Sequence, residues 1–216
     1  TSMNFSNSLQ NIRQILEEVK QNPTVPFYKP QAFAPDFLTW TDLERTINRP
    51  HGTTIECIDS QGGKLDGQTP LSVIKQHIVK GNSFAIVTGD DINQEMNQLC
   101  DMVEKVTGLW CETHIYGGLR SESRSFGIHA DPPMNLILQM SGDCKWTVFQ
   151  QVAFKPGGAD ESQVTKAFDV LMKPGDLIYV PALMYHWCQP LAKRFSISIP
   201  IRQRNPEHQR REWIKL

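Results

Sequence analysis

The sequence predicts an α+β protein, with helices first and an antiparallel β body of the jelly-roll kind behind them. Two observations predict this order. Up to residue 108 most apolar residues recur at the three- and four-residue spacing of amphipathic helices. From residue 110 the pattern becomes short apolar runs broken by Gly, Pro, Ser and Asp, the grammar of a sandwich or barrel. A chain of 216 residues is long enough to enclose a sizeable core. The expected layout is one domain over 1–216: a mainly helical part over 8–108, a jelly-roll core over 109–201 and a polar tail over 202–216.

Taken in order, "SLQNIRQILEEVKQ" places Leu9, Ile12, Ile15, Leu16 and Val19 on one helical face, predicting a helix over 8–21. "PTVPFYKPQAFAP" has four prolines and reads as an extended connector. "TWTDLERTINR" predicts a short helix with Thr39 or Thr41 as N-cap. "TTIECID" is a strand, with Gly62-Gly63 marking the turn after it. "TPLSVIKQHIVKGN" is a helix closed near Gly81, and "SFAIVTG" a buried strand. Asp90-Asp91 reads as a helix start, acidic charge at the positive end, for the long helix "INQEMNQLCDMVEKVTG". The strands expected beyond it are "WCETHIYGG", "SFGIHADPPMNLILQM", "CKWTVFQQ", "KAFDVLM", "DLIYVP" and "RFSISIPI". "KPGGADES" lacks the strand-loop-helix setting and GK[ST] of a phosphate loop and is read as a plain loop.

Composition is ordinary, with 39% hydrophobic residues, 21% charged residues and a net charge of −1. That balance supplies no global attraction to nucleic acid or a membrane surface. No stretch approaches the ~20 apolar residues of a membrane helix. Five scattered cysteines with no CxxC pair suit a reduced, cytoplasmic protein better than a disulfide scaffold. Thr1-Ser2-Met3 carries no signal h-region and reads as two extra residues before a starting Met.

The chemistry is concentrated in "GIHADPPMNLILQM", residues 127–140. His129 and Asp131 are two apart, so on a strand they share a face, and aimed into a core they need a partner. "KPGDLIYVPALMYHW" supplies one: a tight turn, a strand, then Pro181 and, five residues on, His186. Two histidines and a carboxylate on one side of a metal leave its other positions open, which suits non-haem Fe(II). Zinc accepts the same ligands but brings no redox chemistry. His51, His77, His114 and His208 have no partners at comparable spacing and read as surface or packing residues.

Residues 70–200, through "IVKGNSFAIVTG", "THIYGGLRSESRSFGIHADPPMNLILQMSGDCKWTVF" and "PGDLIYVPALMYHW…RFSISIPI", resemble the Jumonji-C, cupin-like Fe(II)/2-oxoglutarate oxygenases, particularly the ribosomal-oxygenase branch. The resemblance implies a double-stranded β-helix with Fe(II) on His129, Asp131 and His186. It also implies that 2-oxoglutarate and O2 are consumed to hydroxylate a substrate. Asn135, six after His129 and of the same strand parity, matches an asparagine that contacts 2-oxoglutarate in similar enzymes. Tyr116 matches a pocket-lining tyrosine. The family commonly has Lys or Arg fifteen after the first metal histidine and Ser or Thr three before it; this chain has Cys144 and Phe126 there. Lys145 is one position late and turns to the other face unless a bulge intervenes. Arg194, which shares strand parity with Ser196, is similar to an Arg-x-Ser that other 2-oxoglutarate oxygenase branches use at this place, so the resemblance makes it the first candidate to pair the distal carboxylate, and Lys145 the second. Trp187, beside His186, is a candidate pocket wall.

A cupin enzyme without 2-oxoglutarate, or a binding protein on the same fold, remains the alternative reading. The substrate class most expected is a protein side chain, with small molecules and RNA bases open. The tail "RQRNPEHQRREWIKL", with five Lys/Arg against two Glu, would suit an acidic partner or RNA, but a short amphipathic helix is the plainer reading.

Overall fold

The computed structural model describes residues 4–50, 54–58, 63–65, 69–123, 126–207 and 213–216. The Thr1-Ser2-Met3 start, His51, Gly62 and His208 lie outside the described residues.

Four helices form where the apolar periodicity places them: α1 (Phe5–Gln21), α2 (Trp40–Asn48), α3 (Leu71–Val79) and α4 (Gln94–Thr107). The first begins three residues before its expected start because Asn4 caps it, accepting from the Asn7 N–H at 2.9 Å. Thr39, not Thr41, caps α2 in a reciprocal box with Asp42. Asn93 caps α4; Asp90 and Asp91 instead fall in a separate 3-10 turn, Gly89–Asp91. Gly108 ends α4 at φ +68°, a conformation that favours glycine.

Fourteen strands, numbered along the chain, form two antiparallel sheets among the described residues. In order, the large sheet runs β1 (Phe27–Lys29), β12 (Leu177–Val180), β8 (Met134–Ser141), β14 (Arg194–Arg202), β6 (His114–Gly118), β4 (Ser83–Val87), β2 (Thr54–Ile58) and β3 (Lys64–Leu65). Strand β5 (Trp110–Cys111) pairs with the end of β14. The small sheet runs β10 (Gly157–Gly158), β7 (His129–Ala130), β13 (Met184–Pro190), β9 (Cys144–Val152) and β11 (Lys166–Met172). From β8 onward the chain passes repeatedly between the sheets, as a jelly roll requires.

Three features depart from the sequence expectation. The two strands expected in the mainly helical N-terminal part, β2 and β4, are accompanied by β1 and β3, and all four extend the large sheet. The proline-rich connector carries β1 because Pro26 and Pro30 flank, rather than interrupt, its three pairing residues. The "KPGGADES" loop holds β10, which pairs Gly158 with His129. In the tail, 203–207 is irregular and turn structure, and 208–212, where the short helix would be centred, lie outside the described residues.

The core lies in two layers. On the back of the large sheet, Ile12, Leu16 and Val19 of α1 and Leu99 and Val103 of α4 pack with Leu136, Leu138, Ile197 and Ile199. Between the sheets, Ile137, Ile178 and Val180 meet Trp146, Val148 and Met184. The alternation explains why β8 reads as one apolar run: both of its faces are covered. On β14 the odd positions Phe195, Ile197 and Ile199 face the helices, which leaves Arg194, Ser196 and Ser198 for the space between the sheets.

The turn before β12 joins the N-terminal segment to the jelly roll. Gly175, at φ +99°, accepts the Ala32 N–H at 2.8 Å. The buried Asp176 carboxylate accepts from Tyr28 Oη at 2.7 Å and from the Gln31 and Lys173 amides, both at 2.9 Å. Burial first, and then the bond to Asp176, pushes the Tyr28 phenol up to about 12.

Candidate metal centre

His129 and His186 are directly paired across β7 and β13. Facing positions on neighbouring strands bring side chains together, and the two imidazole rings lie 4.3 Å apart. Asp131 follows β7 at the Pro132-Pro133 break, and its Oδ2 is 3.4 Å from each Nε2. One donor atom from each of the three residues lies within 4.8 Å of the others.

The imidazoles are oriented for coordination. His129 Nδ1 is 2.7 Å from the Gly127 carbonyl and His186 Nδ1 is 3.0 Å from that of Met184. A carbonyl only accepts, so each Nδ1 presents its N–H to that carbonyl, and Nε2 is the ring atom that faces Asp131 and could ligate a metal. The Asp131 carbonyl accepts the Leu183 N–H at 2.8 Å, from a residue at φ +60°, which anchors the break between the sheets. Burial tends to lower the His129 pKa, but the Asp131 carboxylate and the Gly127 carbonyl outweigh it and the net shift is upward. Burial likewise opposes ionisation of Asp131, yet bonds to His129 and His186 hold its carboxyl well below the usual range. Two imidazole Nε2 atoms and a carboxylate, with the far side facing a cavity, form a donor set that fits Fe(II).

That cavity, of about 380 Å³, lies between the sheets. Its metal end is bounded by His129, Asp131 and His186, its mouth by Phe126, Pro156 and Gly157, and its far wall by Tyr116, Asn135, Arg194, Ser196 and Ser198. Arg194 is only 2% exposed, and its Nε has no hydrogen-bond partner among the described residues. A buried guanidinium without a counter-charge is costly, so this wall is built for an anion. Asn135 is buried and its Oδ1 accepts from Ser198 Oγ at 3.0 Å.

Asn135 reaches the same cavity as His129 by a route that strand parity did not foresee. The chain breaks at Pro132-Pro133 and changes sheet, so the two residues face each other from opposite walls. Lys145 does not line the cavity. The ladder runs regularly through it, with Gln189 and Leu171 as neighbours, so no bulge turns it inward. It reaches outward to Asp169 at 3.3 Å. Trp187, on the opposite face of β13 from His186, is also absent from the lining.

Residues that sequence reasoning missed include Trp146, whose ring stacks near His186 at 6.3 Å and whose Nε1 has no partner among the described residues. Cys144, at the position where a cation was expected, instead touches Cys188 at Sγ–Sγ 3.0 Å. That contact and burial hold the Cys144 thiol above its usual range. Ser198 follows Ser196 by two, a signal that the β14 alternation already contained.

The JmjC-domain family model matches residues 87–209, more than half of the chain. The chain belongs to the JmjC-domain family. It is 24% identical over 141 residues to the bifunctional lysine-specific demethylase and histidyl-hydroxylase NO66 of Drosophila persimilis, which covers 63% of this JmjC chain. The match takes in only 20% of that relative's length. Among solved structures it is similar to the ribosomal oxygenase YcfD of Escherichia coli in complex with cobalt and 2-oxoglutarate. The TM-score is 0.68 at 16% identity, covering 88% of this chain and 52% of that one. Another YcfD structure gives a TM-score of 0.69 at 15% identity, with 88% and 53% covered. These likenesses agree with the jelly-roll architecture described above.

Proposed function

We propose that this JmjC chain is an Fe(II)- and 2-oxoglutarate-dependent oxygenase that hydroxylates a substrate. The observation that carries this reading is the buried Arg194, with no ion-pair partner among the described residues, in a cavity whose opposite end is the His129–Asp131–His186 triad. The triad would hold Fe(II), and Arg194, with Ser196 beside it, would pair the distal carboxylate of 2-oxoglutarate in a two-bond fork. Asn135 and Tyr116 would flank the co-substrate. The bound iron supplies the one-electron and oxygen chemistry that side chains lack. The chain's own part is to orient the ligands and order the co-substrate. The small sheet and Trp146 keep water from the buried end.

In the balanced reaction, 2-oxoglutarate, O2 and a substrate C–H give succinate, CO2 and the hydroxylated substrate. A protein side chain is the substrate class we favour. Support comes from the exposed, apolar rim at Phe126 and Pro156. The hydroxylase and ribosomal-oxygenase names carried by NO66 and YcfD point the same way. We further read 1–216 as one domain, with α1 to α4 serving as the backing of the large sheet. The five buried cysteines, none joined in a disulfide among the described residues, support a reducing, cytoplasmic setting.

The test is succinate release from 2-oxoglutarate by the Fe(II)-loaded protein in air. Turnover that is abolished in His129→Ala and Arg194→Met, with folding retained, supports the reading. Tight metal binding without succinate formation would assign the chain to cupin chemistry that does not use 2-oxoglutarate.

A further inference from the structure

Tyr116 reaches the cavity wall from β6, and two residues outside the cavity stand behind it. On the same face of the strand, His114 Nδ1 is 3.4 Å from the Tyr116 hydroxyl. On its other side, His114 Nε2 is 2.9 Å from Glu112 Oε2. Arg202, at the end of β14, stands 3.8 Å from the same carboxylate oxygen. The result is a file running from the cavity to the surface: phenol, imidazole, carboxylate, guanidinium.

The file has two hydrogen-bonding states. A carboxylate only accepts, so Nε2 carries a proton in both. With a neutral imidazole, Nδ1 accepts, the Tyr116 O–H points at His114, and the phenol presents only lone pairs to the cavity. With an imidazolium, Nδ1 donates to the phenol oxygen and the Tyr116 O–H is released to donate into the cavity. An anion in the cavity favours the second state, because it needs donors. Glu112 favours it too, as the counter-charge for the imidazolium. Tyr116 remains a phenol in either state: burial first, then the charges of Asp131, Glu56 and Glu112, pushes its pKa well above the ordinary tyrosine value.

We propose that Glu112 and His114 are positioning residues that set whether Tyr116 donates or accepts at the cavity wall, so that dicarboxylate binding draws a proton onto His114. The proposal rests on the co-substrate reading above. Among the described residues the groups bonded to His114 are Glu112 and Tyr116; Arg202 acts through Glu112 and Glu56 acts on Tyr116, while Ser198 of β14 and Val87 of β4 are the uncharged register partners of His114. Gln139, Lys145 and the surface pairs of β11 take no part in the file.

The test is anaerobic calorimetric titration of the Fe(II)-loaded protein with 2-oxoglutarate between pH 6 and 8, in two buffers of different protonation enthalpy. Saturating metal blocks the Nε2 atoms of His129 and His186, which removes them as proton sinks. The wild-type protein should take up protons on binding and bind more tightly as the pH falls. His114→Gln, which cannot ionise, should lose that uptake, and its affinity should fall below wild type at pH 6 and converge with it at pH 8. Glu112→Gln repeats the test without altering β6. Tyr116→Phe should weaken binding about tenfold, as expected for a lost bond to a charged group. Adding His114→Gln to Tyr116→Phe should then change nothing further. Equal proton uptake and affinity in wild type, His114→Gln and Glu112→Gln overturns the proposal alone. So does an undiminished effect of His114→Gln in the Tyr116→Phe background. A wild-type protein that binds metal but no 2-oxoglutarate overturns the co-substrate reading and this inference together.

Discussion

Arg194 is buried inside the fold, and among the described residues its Nε has no hydrogen-bond partner and its guanidinium forms no ion pair. Replacing it with Met should raise the Kd for 2-oxoglutarate by about ten- to a hundredfold, the range of a lost charge-assisted pair. Metal affinity should stay near wild type. Direct titration of the metal-loaded protein checks both. The metal ligands should show their own pH dependence. In the metal-free protein the raised His129 pKa stabilises the fold at low pH, and that contribution is lost as pH rises through the folded value. The depressed Asp131 does the reverse, contributing above the usual carboxylate range and losing it on acidification. Fe(II) needs a neutral His129, so its affinity should fall as the pH drops below neutral, approaching tenfold per unit for one displaced proton. Competition with a metal chelator across pH 5.5 to 8 reads this directly; a flat profile would contradict it. At this scale the sequence was informative wherever a residue's chemistry is rare in a core. His129, Asp131, His186 and Arg194 were legible because a strand does not bury such groups idly. Trp146 and His114 were not, because an aromatic or a lone histidine on a strand is ordinary until its neighbours are known.

Strand register decides which of the two candidate cations, Lys145 and Arg194, faces inward. Lys145 is fixed outward by an unbroken ladder on both sides and pairs with Asp169 at the surface. Lys145→Ala should therefore change stability by no more than about 0.5 kcal/mol and leave 2-oxoglutarate affinity unaltered. Denaturant unfolding and ligand titration check the two halves of this prediction. The Lys173–Asp176 turn is the opposite case. Its carboxylate accepts three bonds, two that hold β1 and the following segment to this turn and one that closes the turn itself, so Asp176→Ala should destabilise by about 3 kcal/mol. Element boundaries and pairing were only partly visible beforehand. Helix periodicity located all four helices, and the caps at Asn4, Thr39 and Asn93 explain their starts. The break at Pro132-Pro133 was harder to read, because strand parity presumes one continuous strand and a change of sheet resets it. Asn135 was expected to face inward and does so, from the other wall. The two-residue β10 has glycines alone, which carry no β signal; only its pairing with β7 makes it a strand.

The whole molecule divides its work between two faces of one large sheet. The helical face is apolar and closely packed, and supplies the stability that the other face spends on polar and charged groups in the cavity. Truncating the helical layer at Leu16 or Ile197 to Ala should destabilise by about 3 kcal/mol without changing ligand affinity in the protein that remains folded. Because the cavity residues come from both sheets, ligands that bridge the sheets should stabilise the entire fold. Fe(II) with 2-oxoglutarate at a hundred times its Kd should add about 2.7 kcal/mol, a rise in Tm of roughly 5–10 °C for a chain of this size. The fold class and the two-layer order were legible because the change from helical to strand grammar near residue 110 is a global signal. The pairing of N-terminal strands with the jelly roll was not, since long-range pairing leaves no local trace. The most direct measurement is anaerobic titration of the Fe(II)-loaded protein with 2-oxoglutarate, followed by visible spectroscopy. The account predicts a metal-to-ligand charge-transfer band near ~500 nm, as expected when chelation occupies open positions on the iron. The band should persist in Lys145→Ala, and in Arg194→Ala it should disappear at concentrations that saturate the wild type. Absence of the band in wild-type protein that binds Fe(II) tightly, or its survival unchanged in Arg194→Ala, would contradict the account.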